Sequence, residues 1–170
     1  MKDKNKETII LGIDPGTAIT GWGIIKDGRK EMEVVAYGCI ETSKNKTDVE
    51  RLKETAKDLQ AIIKEYKPDE MAIEELFFFK NLKTAIKVAQ SRGVLMFVTA
   101  KQKISVAEYT PLQIKQALTG YGRADKKQMQ IMVQSILKLK TIPKPDDAAD
   151  ALAVAICHQQ SRKLEQLMKK

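Results

Sequence analysis

Apolar and polar positions along the chain fall into strand-like segments first and helix-like segments afterwards. Residues 9–13, Ile-Ile-Leu-Gly-Ile, form a short run rich in β-branched side chains that predicts a buried strand, and Asp14-Pro15-Gly16 turns the chain back at its end. Residues 20–26 and 31–40 predict two further strands around Asp27-Gly28-Arg29-Lys30, where Asp-Gly signals a hairpin. Short turns make these three strands antiparallel neighbours. Between Thr47 and Tyr66 the period changes: Val49, Leu52, Ala56, Leu59, Ile62, Ile63 and Tyr66 recur at helical spacing, with acids near the start, Lys64 near the end and Pro68 as a stop. Residues 70–75, Glu-Met-Ala-Ile-Glu-Glu, are then a short strand that again ends in acid. A strand, a helix and another strand imply a parallel pair joined by a right-handed crossover.

Residues 82–100 predict a second helix with Gly93 inside it, residues 104–109 a fifth strand, and Pro111 to Leu118 a short helix. A glycine-punctuated basic loop, Thr119 to Lys127, leads to a longer helix whose apolar stripe is Met129, Met132, Val133, Ile136 and Leu137; these methionines read as core filler. The turn Thr141 to Pro145 precedes a last helix running from Asp146 to Ile156. Residues 1–8 read as a mobile polar tail and residues 161–170 as a charged tail that frays, leaving 9–160 as a single domain. The element order predicts an α/β fold, a mixed five-stranded sheet flanked by helices.

The balance of charges adds a partner. Thirty Lys and Arg against 22 Asp and Glu leave a formal +8, which favours a polyanion, with nucleic acid the leading class. With 43% hydrophobic and 31% charged residues the chain reads as soluble and globular, and no apolar run approaches membrane-spanning length or forms a signal core, so no membrane partner and a cytoplasmic location are expected. Cys39 and Cys157 sit in apolar surroundings and read as reduced core thiols. His158 is the only histidine, which argues against a His-ligated zinc site and against a Ser-His-Asp hydrolase. Any metal is therefore a hard one held by carboxylates.

Acids stand at three element ends. Asp14 closes the first strand, either as a metal or phosphate ligand or as a turn cap to the amides of Gly16 or Thr17. Glu74 or Glu75 closes the fourth strand, and Asp146 or Asp147 with Asp150 opens the last helix. Parallel neighbouring strands would bring their terminal carboxylates about 4.8 Å apart. Helix residues three apart project from one face, about 60° from each other. Compensation of the helix dipole explains Asp146 and Asp147 well. It explains Asp150 poorly, because this acid lies in the small-residue run Ala148-Ala149-Asp150-Ala151. Like charges 4 Å apart repel by about 4 kcal/mol per pair at an effective dielectric of 20, so such a cluster calls for cations. Oxygen donors favour Mg²⁺ or Mn²⁺, and two such ions can clamp the attacking and leaving oxygens of a phosphoryl displacement.

Five motifs in order carry a resemblance: Gly12-Ile13-Asp14-Pro15-Gly16 with Thr20-Gly21-Trp22-Gly23; Ala72-Ile73-Glu74-Glu75 with Phe77; Lys80-Asn81; Ser91-Arg92-Gly93; and Asp147-Ala148-Ala149-Asp150-Ala151-Leu152-Ala153. From about Ile9 to about His158 the chain resembles the RuvC family of Holliday junction resolvases. The resemblance implies an RNase H-like fold and a homodimeric, Mg²⁺-dependent endonuclease that makes paired symmetric nicks in four-way junction DNA during recombination and repair. It also implies two Mg²⁺ per subunit, with Mn²⁺ able to substitute, and a branch-migration helicase complex as a further partner. The family's metal-binding, catalytic acids fall on Asp14, Glu74, Asp147 and Asp150, which chooses among the alternatives above. Its lysines near the scissile strand match Lys115 and Lys126, with Arg123 and Lys127 beside them as DNA contacts. Phe77 falls where the family places an aromatic that stacks on junction bases, while Phe78 and Phe79 are divided between core and DNA. The helix around Gln90 to Phe97 resembles the family's dimer-contact helix.

Two other readings compete. Gly-Ile-Asp followed by Pro-Gly-Thr and a hairpin also resembles the phosphate-binding hairpin of actin-like and sugar-kinase-like ATPases, but those need two such lobes and this chain has one motif. A catalytically inactive DNA-binding protein is the other, and four intact acids argue against it.

Overall fold

Period-two alternation in the central strand sorts its side chains onto two different cores, and the rest of the fold follows from that division. The computed structural model describes residues 7–28, 31–76 and 81–168; the expectations for the tail residues 1–6, for the turn residues Arg29 and Lys30, and for Phe77, Phe78, Phe79 and Lys80 lie outside the described residues. The elements run β1 (Thr8–Asp14), β2 (Ile19–Asp27), β3 (Met32–Glu41), α1 (Asp48–Tyr66), β4 (Glu70–Glu74), α2 (Leu82–Lys101), β5 (Ser105–Tyr109), α3 (Pro111–Thr119), α4 (Lys126–Ile136) and α5 (Asp146–Met168). The sheet order is β3-β2-β1-β4-β5, antiparallel among the first three strands and parallel from β1 through β4 to β5. This is the mixed five-stranded sheet that the pattern predicts.

On one face Leu11, Ile13, Ile24, Met71 and Ile73 pack with Leu59, Ile62, Ile63, Leu95 and Val98 of α1 and α2. On the other, Ile10, Ile25 and Ala72 pack with α5, over which α3 and α4 bring Ile114, Leu118, Met129 and Val133. Helix α5 lies almost in contact with the backbone of β1 and β2. A Cβ on Gly12 would stand 2.2 Å from the carbonyl oxygen of Ala151, and one on Gly21 would stand 1.9 Å from that of Asp147. Glycine in the strands and alanine on the helix, Ala148, Ala151 and Ala155 all being fully buried, are thus two halves of one close approach.

Local signals set the helix starts. Thr47 with Glu50, Thr110 with Gln113, and Asp125 with Gln128 form reciprocal capping boxes for α1, α3 and α4, and Asn81 caps α2. The Asp125 cap fixes Lys126 as the first residue of α4.

Among the described residues both terminal boundaries move outward. β1 already begins at Thr8, and Glu7 pairs with Lys26 at 2.7 Å. The charged segment from Ser161, expected as a tail, continues α5 to Met168. Its charges are used, Arg162 Nε lying 2.8 Å from Glu70 and Nη1 3.5 Å from Asp27, with Gln159 donating to Asp27 at 2.8 Å. His158 joins the same group, with Nε2 2.8 Å from Glu70 and Nδ1 2.8 Å from the Tyr109 hydroxyl. The two cysteines are free thiols, Cys157 buried and Cys39 half-buried.

Candidate metal centre

β1 and β4 are parallel and register Ile13 with Ile73, so the next residues, Asp14 and Glu74, end their strands side by side. Counting by twos, Ile10, Gly12 and Asp14, like Glu70, Ala72 and Glu74, belong to the face covered by α5. Glu75 lies one residue past the strand, where its N–H donates to the Tyr109 carbonyl at 2.8 Å. The first turns of α5 bring Asp147 and Asp150 to the same sheet end, held there by the Gly21 contact with the Asp147 backbone.

The electrostatics of the group follow from this crowding. Asp14 has its carboxyl pushed up to about 8, first by burial and then by the negative charges of Glu74, Asp150 and Asp147. It keeps a proton near neutral pH and donates it to Glu74. Glu74 is itself raised by burial and by Asp150, against the hydrogen bond from Asp14 and the positive charge of Lys115. Asp150 is raised by burial, opposed by Lys126. Cys39, across from Gly21 on β3, is pushed up to about 11 by burial and then by Asp147. Asp14 is not the turn's cap: Thr20 Oγ1 donates to the Gly16 carbonyl at 3.3 Å and accepts from the Gly16 N–H at 3.5 Å.

The donor set fits a divalent cation in chemistry. All four groups are oxygen donors, and the negative charge of its acidic neighbours is among the causes that push the Asp14 carboxyl up, a repulsion that a cation would relieve. As the side chains stand, no group of three or more His, Cys, Asp or Glu among the described residues is drawn together closely enough to hold a metal ion. Asp150 is instead paired with a cation of the protein itself: Lys126 Nζ lies 3.4 Å from its Oδ2 and 3.5 Å from Asp146 Oδ2.

The basic residues divide into two groups. Lys115 and Lys126 reach the acids, the first through its field on Glu74 and the second by direct pairing with Asp150. Arg123 and Lys127 are exposed on the preceding loop and the first turn of α4. That loop starts from Gly120, the left-handed cap of α3 at φ 77°, and is anchored by buried Ala124. Two contacts escaped the sequence reading. Arg92 of α2 donates from Nε to the Glu74 carbonyl at 3.1 Å and pairs with Glu108, tying α2 to the end of β4. Its only signal was its place in Ser91-Arg92-Gly93, which named no partner. Asp146 takes up Lys144 and Lys126, which spacing alone does not reveal. On α2, Leu82, Ile86 and Phe97 form an exposed apolar row, and a Cβ on Gly93 would meet nothing within 4 Å.

A five-stranded mixed sheet with carboxylates gathered at the ends of β1, β4 and the start of α5 defines an RNase H-like α/β protein. The family model described as crossover junction endodeoxyribonuclease RuvC matches residues 10–158, and the chain belongs to this family of metal-dependent endonucleases. Its sequence is 54% identical over 159 residues to the crossover junction endodeoxyribonuclease RuvC of Syntrophomonas wolfei, covering 94% of this chain and 92% of that one. It is 55% identical over 161 residues to that of Clostridioides difficile, covering 95% of each. Among solved structures, Thermus thermophilus RuvC in complex with a Holliday junction substrate superposes with a TM-score of 0.83 at 29% identity, over 92% of this chain and 96% of that one. The yeast mitochondrial Holliday junction resolvase, at 12% identity and a TM-score of 0.67, shares the fold. Neither the ATPase reading nor the inactive binder is favoured by these matches. No helix of the described residues is long and apolar enough to cross a membrane.

Proposed function

We propose that the chain works as a homodimer that makes paired symmetric nicks in four-way junction DNA, with Asp14, Glu74, Asp147 and Asp150 holding two Mg²⁺ ions per subunit and Mn²⁺ able to replace them. The observation that supports this most is the convergence of four acids from three elements on one sheet end, where burial and the charges of the other three push the Asp14 carboxyl up. When bound, the cations would supply Lewis-acid stabilisation of the negative charge that develops on the phosphate in hydrolysis. Asp14 and Glu74 sit on paired strand ends and are therefore rigidly spaced, and Arg92 fixes the Glu74 backbone from behind.

Lys115 and Lys126 flank the acids and would take phosphate oxygens of the cleaved strand, while Arg123 and Lys127 extend the basic track along the backbone. Phe77, three residues after Glu74 in the sequence, would stack on an unpaired base at the junction. The apolar row Leu82, Ile86 and Phe97 offers a surface for the second subunit, and two-fold symmetry would then present two sites to two opposed strands. The reading extends to a cytoplasmic location and to a branch-migration helicase complex acting on the same junction.

The test is a labelled mobile four-way junction with Mg²⁺. Symmetric nicking by the native protein, lost in Asp14→Asn while junction binding persists, supports the reading; ATP turnover without cleavage would contradict it.

A further inference from the structure

We propose that Asp146, an acid to which the four-ligand reading gives no part, is a positioning residue that seats Lys126 at the rim of the metal centre and lets it yield Asp150 to a cation. The proposal rests on that reading of the four acids. Two ammonium groups, one from α4 and one from the turn before α5, converge on this one carboxylate. Lys144 donates to Oδ1 at 2.8 Å, and Lys126 lies 3.5 Å from Oδ2. Compensation of the α5 dipole accounts for an acid in the first turn at Asp146 or Asp147, but does not call for the pairing of Asp146 with Lys126 and Lys144.

The geometry around Lys126 is that of a shared ammonium. Its Cα is fixed by the Asp125 capping box, so only the flexible stem decides where the charge rests. The charge rests between two acids at nearly equal distances, 3.4 Å from Asp150 and 3.5 Å from Asp146. Were Asp150 to hold a cation, the Lys126 ammonium would be repelled from it. With Asp146 present, the ammonium moves onto the second acid and stays beside the site, where it can meet a phosphate oxygen. With Asp146 gone, the ammonium falls wholly on Asp150 and competes with the cation for it.

The experiment measures Mn²⁺ binding to the DNA-free protein by electron paramagnetic resonance, in the native chain, Asp146→Asn, Lys126→Met and the double variant. Asparagine keeps the volume and an acceptor for Lys144, so the fold is preserved. Asp146→Asn should weaken Mn²⁺ binding on the order of tenfold. In the Lys126→Met background the same change should have less than about a twofold effect, because the competitor is gone. Asp146→Glu should restore binding, and in junction cleavage Asp146→Asn should lower kcat with KM for the junction nearly unchanged. An equal loss in both backgrounds, or none in the native one, overturns the proposal. Native protein that binds no Mn²⁺, with Asp14→Asn indistinguishable from it, would instead overturn the four-acid reading and the proposal with it.

Discussion

Replacing Asp14 with asparagine should make the metal-free protein more stable while removing its response to metal. In the folded chain the Asp14 carboxyl is pushed up to about 8 from an ordinary value of 3.8, chiefly by burial and by Glu74, Asp150 and Asp147. A group whose proton affinity is raised by folding contributes most below its unfolded pKa, and that contribution fades as pH rises towards the folded value. At pH 7.5 the unfolded chain has released the proton and the folded chain still holds it, a penalty of at most about 5 kcal/mol at 1.36 kcal/mol per decade. The site lies at the sheet's open end, and water and side-chain relaxation reduce this to roughly 2–3 kcal/mol.

Asparagine keeps a donor towards Glu74 and carries no charge, so it recovers most of that amount. For a chain of this length the gain corresponds to an increase in Tm of roughly 4–12 °C. Thermal unfolding in EDTA between pH 5 and 8.5 tests it: the advantage of the variant should grow with pH through this window. Adding Mn²⁺ should raise the Tm of the native protein and leave the variant unchanged. A variant no more stable than the native chain at pH 7.5, or an advantage independent of pH, would refute the electrostatic account.

Three other substitutions probe separate parts of the structure. Gly12→Ala puts a methyl 2.2 Å from the Ala151 carbonyl, so α5 must shift; urea unfolding should show a loss of about 1–3 kcal/mol or more, with cleavage reduced beyond what stability explains. Lys115→Met removes the positive charge that lowers the proton affinity of Glu74, so the acid limb of the pH profile for kcat should move to higher pH, and an unmoved limb would remove this role. Phe97→Glu places a charge in the exposed row of α2, where Phe97 is 68% exposed, so the folded monomer should keep its Tm while sedimentation shows loss of dimer.

Much of the fold is legible because its determinants are local. Hydrophobic period, the Asp-Gly hairpin signal and the capping residues Thr47, Thr110 and Asp125 each act within a few positions, and the crossover rule then fixes which strands are parallel. The acids at element ends are legible for the same reason. What stayed hidden depends on partners far away in sequence. The segment from Ser161 carries charges that look solvated, but Arg162 within it and Gln159 just before it meet Asp27 across 135 and 132 residues, and a tail becomes two more turns of α5. Arg92 gives no hint of Glu74, nor Asp146 of Lys126, until α2 and α4 are packed. The choice of Glu74 over Glu75 lay with the resemblance at first. Once the registered strands are known, alternation from Ile10 and Glu70 puts Asp14 and Glu74 on the α5 face.

The central claim is that four acids at one sheet end cut junction DNA in matched pairs. Mapping nick positions on all four labelled strands of a mobile junction in Mg²⁺ tests it most directly. The account predicts nicks at symmetric positions on two opposed strands, absent in Asp14→Asn although that variant still binds the junction. Cleavage that persists in Asp14→Asn, or nicks scattered without symmetry, would contradict it.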